Sequence, residues 1–127
     1  MEEHIDTPNE IALAKRRKSF AYAMRGIILF LKTTPNAWIQ LGIFSCAIIL
    51  GVLFDITQVE WMMVILSAGL VLTAEAFNTA MEIDMNLTSP QYHPYARDTK
   101  DVAAGAVLMA SIVAGVIGII VFGHYLI

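Results

Sequence analysis

The sequence predicts an all-α membrane protein: an amphipathic surface helix followed by three transmembrane helices, assembled as an oligomer. Three observations point there. Apolar residues make up 57% of the 127 positions and charged ones only 15%, too little polar surface for a soluble globule of this size. Three long apolar runs follow Pro35, separated by short polar stretches. All eight Lys and Arg lie at Lys15, Arg16, Arg17, Lys18, Arg25, Lys32, Arg97 and Lys100, so charge is segregated along the chain. An oligomer is expected because three spans alone make a bundle too thin to shield a charged site.

Residues 1–9 are polar and read as a mobile tail; residues 10–127 read as one membrane domain. Over residues 10–34 the pattern is helical and two-faced. Phe20, Met24, Ile27 and Leu31 share one side, and Lys18, Arg25 and Lys32 the other. That segregation suits a helix lying in the membrane interface, with cations near lipid headgroups. The alternative is an ordinary amphipathic helix packed on its own bundle. Pro35-Asn36 then breaks the helix.

Residues 37–54 run for eighteen positions without a charge, close to the minimum for a spanning helix. Residues 55–60 form a short acidic connection. Trp61 opens the second apolar run, which continues as helix to about residue 85. Residues 87–98 carry Ser89-Pro90 and His93-Pro94 and read as a loop or broken helix. The third span covers about residues 102–124, where Ala106, Ala110, Ala114 and Gly118 recur every fourth position and favour close helix approach, within the chain or between copies. Trp38, Trp61 and Tyr125 fall near the boundaries as interfacial anchors. Cys46 is the lone cysteine, within an apolar run, and reads as a packing residue.

Six basic residues precede the first span, two lie between the second and third, and none lies in the 55–60 connection or at the C-terminal end. The positive-inside rule therefore places the N-terminus and the second connection in the cytoplasm. No secretory signal is visible, since the longest apolar run before Pro35 is residues 26–31, so the internal spans are expected to direct insertion.

Glu75, Asn78 and Glu82 interrupt the second span. Their spacings of three, four and seven put them on one helical stripe, extended by Thr79 and Asn86. An ionised carboxylate at a membrane centre costs roughly 2.5–3.5 kcal/mol, so carboxylates seldom stand there without a task. The stripe lies on the cytoplasmic half of the helix, near Lys100 and Asp101. Taken alone, Lys100 and Asp101 read as a juxtamembrane charge pair, His93 as a loop residue and Tyr22 as an interfacial aromatic.

The run Glu75-Ala-Phe-Asn78-Thr79-Ala-Met-Glu82 resembles the signature of the small bacterial membrane lipid kinases, the diacylglycerol kinase and undecaprenol kinase family. Tyr92-His93-Pro94, Lys100-Asp101-Val-Ala-Ala-Gly-Ala-Val-Leu, and upstream Tyr22 and Arg25-Gly26 also look like that family. The resemblance covers roughly residue 15 to the C-terminus. It implies phosphoryl transfer from MgATP to the hydroxyl of a membrane lipid, in a homotrimer with active sites between protomers. It implies Glu75 as general base, Asn78 as a group orienting Glu75 or the substrate, and Glu82 as the Mg²⁺ ligand. Lys100 would contact phosphate, and Asp101, His93 and Tyr22 the nucleotide. The 93–94 and 101–109 stretches look slightly nearer the undecaprenol kinases. Two positions depart from the pattern: Thr34 stands where the family carries a second metal-binding carboxylate, and Asn86 where many relatives carry Asp.

Two readings compete with a kinase. One is a non-enzymatic membrane protein, either a proton or cation pathway through Glu75 and Glu82 or an assembly partner. The other is an inactive relative, motivated by Thr34. No Gly-rich phosphate loop of the Walker or protein-kinase kind is present, as the resemblance leads one to expect. Nucleic-acid binding has no support, because the basic cluster at residues 15–18 has little aromatic interleaving.

Overall fold

Four α-helices and no strand make up the described residues, 3–127, of the computed structural model: α1 (Pro8–Thr33), α2 (Pro35–Leu53), α3 (Gln58–Thr88) and α4 (Pro94–Leu126). The chain divides into two units between Thr33 and Thr34. In the first unit, α1 buries none of its residues. It begins at Pro8, inside the stretch expected to be a tail. Thr7 and Glu10 form a capping box there: Glu10 N–H donates to Thr7 Oγ1 (3.3 Å) and Thr7 N–H donates to Glu10 Oε2 (2.7 Å). The Thr-Pro-Asn-Glu order was a start signal that the polar composition of residues 1–9 obscured; residues 1–2 lie outside the described residues.

In the second unit, α2, α3 and α4 are each long and apolar enough to cross a membrane. Thr34 is extended (φ −118°, ψ 94°), as a residue before proline is biased to be, and Pro35 occupies the first turn of α2 where its missing N–H costs nothing. At the far end, α2 closes in a Schellman motif. Ile56 N–H donates to Gly51 O (3.1 Å) and Asp55 N–H to Val52 O (3.3 Å), with Asp55 at φ 50°. Aspartate is among the few residues other than glycine that visit this left-handed region readily. Thr57 then caps α3 in a capping box with Glu60, so the acidic connection is shorter than the expected 55–60.

That end holds the core. Ile56, Val64, Val121 and Phe122 are buried together, flanked by Leu50, Phe54 and Trp61. Phe54 and Tyr125 stack with centroids 5.6 Å apart. Glu60 ties α3 to α4, accepting from Tyr125 Oη at 2.8 Å and lying 3.3 Å from His124 Nε2. His124, silent in the sequence, thus belongs to a polar clasp opposite the candidate site. α4 packs along α3, and α2 lies mainly against α3. Ala110 is buried within the chain, whereas Ala114 and Gly118 line an open groove with Ile43 and Ala47 of α2, and a Cβ added at Gly118 would meet nothing within 4 Å.

Gly51 of α2 is buried and leaves room for the Trp61 ring of α3. A Cβ there would stand 2.6 Å from Trp61 Cη2 and 2.8 Å from Cζ2, inside contact distance of a ring that cannot bend. Gly51→Ala is expected to destabilise by about 1–3 kcal/mol through overpacking, read as a lower unfolding midpoint in detergent micelles. An unchanged midpoint would mean that the ring turns aside at no cost.

The polar connection between α3 and α4 is also shorter than the expected 87–98: Leu87 and Thr88 end α3, and α4 begins at Pro94. His93 accounts for the early start. It is the N-cap of α4, its Nδ1 accepting from Tyr95 N–H at 3.1 Å, and Pro94 follows in the first turn. Arg97, Lys100 and Asp101 are therefore helical, each with a fixed direction from α4.

Candidate active site

The stripe on α3 divides into four contacts, read from the apolar middle toward the Ser89 end. Glu75 is only 3% exposed, and its Oε2 accepts from Gln40 Nε2 of α2 at 2.8 Å. One turn on, Thr79 Oγ1 and Thr34 Oγ1 lie 2.7 Å apart. Asn78 Nδ2 donates to Glu82 Oε1 at 3.3 Å, while Asn78 Oδ1 is buried without a partner. Finally Lys100 Nζ of α4 donates to Asn86 Oδ1 at 2.7 Å. A helical rise of about 1.5 Å per residue puts Glu75 roughly 16 Å along α3 from Asn86, with Glu82 about 10 Å from Glu75.

The burial of Glu75 is what an intramembrane carboxylate requires: it faces protein, not lipid, and receives a hydrogen bond from an amide. One of its oxygens is engaged and the other is left for a further partner. Glu82 is exposed and keeps Oε2 free of any bond. Thr34 is buried at the N-cap of α2, yet its hydroxyl makes no cap and reaches Thr79 instead. The position that lacks the expected carboxylate thus ties α2 to α3.

A polar cavity of about 270 Å³ opens at the start of α4. His93, Lys100, Asp101, Asn86, Tyr92 and Arg97 all line it. His93 spends Nδ1 on its cap, so the neutral ring carries its proton on Nε2 as a donor. Arg97 Nη1 donates to Tyr92 Oη at 3.0 Å, and Arg97 Nη2 reaches Asp98 at 3.3 Å. This is a mixed cationic and hydrogen-bonding recess, suited to phosphate and to a nucleoside. A second, mostly apolar cavity of about 700 Å³ runs between α3 and α4. Asn78 and Asp98 line it together with the apolar Phe77, Val102 and Ala106.

The structure therefore brings His93, Lys100 and Asp101 to one cavity and pairs Asn78 with Glu82. It sets Glu75 deeper, where neither cavity is lined by it. Tyr22 lies exposed on α1, in the other unit. Sequence reasoning missed Gln40, whose signal was an amide inside an uncharged span, and Arg97, whose signal was a cation one turn after His93-Pro94. The partnership of Thr34 with Thr79 had no signal at all.

The sequence profile of the prokaryotic diacylglycerol kinase family matches residues 21–122. An undecaprenol kinase of Bacillus subtilis is 34% identical over 105 residues, covering 83% of this chain and 85% of the relative. A diacylglycerol kinase of Synechocystis sp. is 36% identical over 101 residues, covering 79% of this chain and 58% of that longer relative. The matched region holds α2, α3, nearly all of α4 and every residue of the stripe and the polar cavity. On that span and identity, the chain belongs to the prokaryotic diacylglycerol kinase family.

Proposed function

We propose that this protein is an ATP-dependent lipid kinase that phosphorylates the hydroxyl of undecaprenol in preference to diacylglycerol. The observation that carries it is the buried, singly hydrogen-bonded carboxylate of Glu75, set in an apolar span below a polar cavity. A lipid alcohol must be met at that depth, and a water-borne nucleotide at the cavity. The preference for undecaprenol is supported by the undecaprenol kinase relative, which aligns over more of both chains than the diacylglycerol kinase does.

In this reading the nucleotide lies by His93 and Asp101, with Lys100 on its phosphates. The phosphates extend along α3 past Glu82 and Asn78 toward Glu75. Glu75 takes the proton of the lipid hydroxyl as that oxygen bonds to the terminal phosphorus. The bond to the bridging oxygen breaks and ADP leaves with its electron pair. Asn78 stands between the two carboxylates and orients them, its unpartnered Oδ1 open to a donor. Lys100, released from Asn86, neutralises charge on the phosphoryl oxygens.

Glu82 fits Mg²⁺: a hard carboxylate oxygen, exposed and unpaired, suits an ion completed by phosphate oxygens and water. When bound, the ion supplies charge neutralisation on the phosphates. Thr34 gives it no carboxylate, and its hydroxyl is already committed to Thr79. The site faces the cytoplasm of a bacterial inner membrane, the N-terminus is cytoplasmic, and α1 rides at the interface with its basic side near headgroups. Large apolar side chains exposed on all three spans, Ile39, Ile43, Leu66 and Ile119 among them, are covered by lipid and by two further copies in a homotrimer.

The cation-pathway reading is weaker on this geometry. Between Glu75 and the Glu60 clasp the buried residues of α3 are Val71, Ser67 and Val64, and Ser67 bonds its own backbone at Val64 O (3.0 Å). Radiolabelled ATP offered with purified undecaprenol and with diacylglycerol in mixed micelles tests the proposal. Faster labelling of undecaprenol is expected. Labelling of diacylglycerol alone overturns the preference, and labelling of neither overturns the kinase.

A further inference from the structure

We infer that Gln40 is a positioning residue that holds Glu75 for the acceptor hydroxyl, an inference that rests on the lipid-kinase reading above. Gln40 stands in the first half of α2, a polar side chain in a stretch without charge. Its Nε2 donates to Glu75 Oε2 at 2.8 Å, the one side-chain hydrogen bond that Glu75 makes among the described residues. A carboxylate 3% exposed has no water shell to orient it, so this contact sets the torsion of the group. With Oε2 occupied, Oε1 is the oxygen left to receive a proton.

The other end of the amide sharpens the point. Gln40 Oε1 is buried and has no partner. Turning the amide over would press an oxygen against Glu75 Oε2, two acceptors with no proton between them while Glu75 is ionised. The side chain is thus held by what its N–H does for Glu75, at the expense of its own carbonyl. An amide present only to fill space would be replaced at no loss by an apolar residue of equal volume. An amide that aims the carboxylate would not.

The test measures kcat with undecaprenol, and KM for MgATP, for the parent, Gln40→Met, Gln40→His and Glu75→Gln in one micelle system. Gln40→Met keeps the volume and removes the donor. It is expected to lower kcat roughly tenfold to a hundredfold, the loss that follows when a reacting group is misplaced by about 1 Å. KM for MgATP is expected to stay as in the parent, since an interaction made only at the reacting oxygen leaves nucleotide binding alone. Gln40→His restores an N–H at comparable reach and is expected to recover most of the parent kcat.

Unchanged kcat in Gln40→Met, a MgATP KM that rises in step with the fall in kcat, or no recovery in Gln40→His would each overturn the inference. Should Gln40→Met fail to fold, Gln40→Asn carries the same kcat test, because its amide is one methylene too short to reach Oε2. A parent that labels no lipid removes the kinase reading, and this inference with it. An active parent with an unaffected Gln40→Met removes the inference alone.

Discussion

Glu75→Gln is expected to abolish lipid phosphorylation while leaving MgATP binding near that of the parent. The substitution keeps the shape of the side chain and removes the capacity to take a proton. Proton transfer by a positioned side chain contributes about 10²–10⁴-fold to a rate, so kcat should fall by that factor. The nucleotide is spared because Glu75 lies deep on α3 and does not line the cavity that holds His93, Lys100 and Asp101. Gln40 donates to the carboxylate, and the substituted amide can still present an oxygen to that donor, so the contact between α2 and α3 persists. The measurement is single-turnover labelling of undecaprenol beside equilibrium binding of MgATP. A variant that retained parental turnover would remove Glu75 from the role of base. One that lost nucleotide binding as well would show that the residue supports the whole cavity.

Glu82→Gln is expected to act in the opposite sense, weakening MgATP binding first. Glu82 is exposed, carries a free Oε2 and stands about two turns from Glu75 toward the polar cavity. Loss of its charge removes the protein carboxylate on which the metal reading depends. A fall of roughly 10–100-fold in MgATP affinity is expected, in line with the loss of groups that support a bound metal. Raising free Mg²⁺ should recover part of the turnover in this variant and none in Glu75→Gln. Equal nucleotide affinity in the parent and both variants would contradict the division of labour between the two carboxylates. The comparison is sharp here because Thr34, committed to Thr79, offers no second carboxylate to take over.

The parts of this molecule that were legible in its sequence are those governed by local rules. Apolar runs of sufficient length make spans, prolines end or begin helices, and a spacing of three and four puts polar groups on one stripe. The three spanning helices and the order of the stripe therefore follow from neighbours in the chain. Local rules also explain what was misjudged at helix ends. The capping box at Thr7 and the cap at His93 each extend a helix into a stretch that composition alone reads as irregular.

What each stripe residue faces was decided by the tertiary structure. Gln40 and Glu75 are 35 positions apart, Thr34 and Thr79 45 apart, and Glu60 and Tyr125 65 apart. Such pairings depend on how far one helix slides and rotates against the next. That register is set by packing at the opposite end of the bundle, where Gly51 admits the Trp61 ring and the Schellman turn at Asp55 aims α3. By itself the sequence determined that carboxylates would lie within a membrane span. Only the fold, through the register of one helix on the next, decided that Glu75 meets Gln40 and that His93, Lys100 and Asp101 share a cavity which Glu75 does not line.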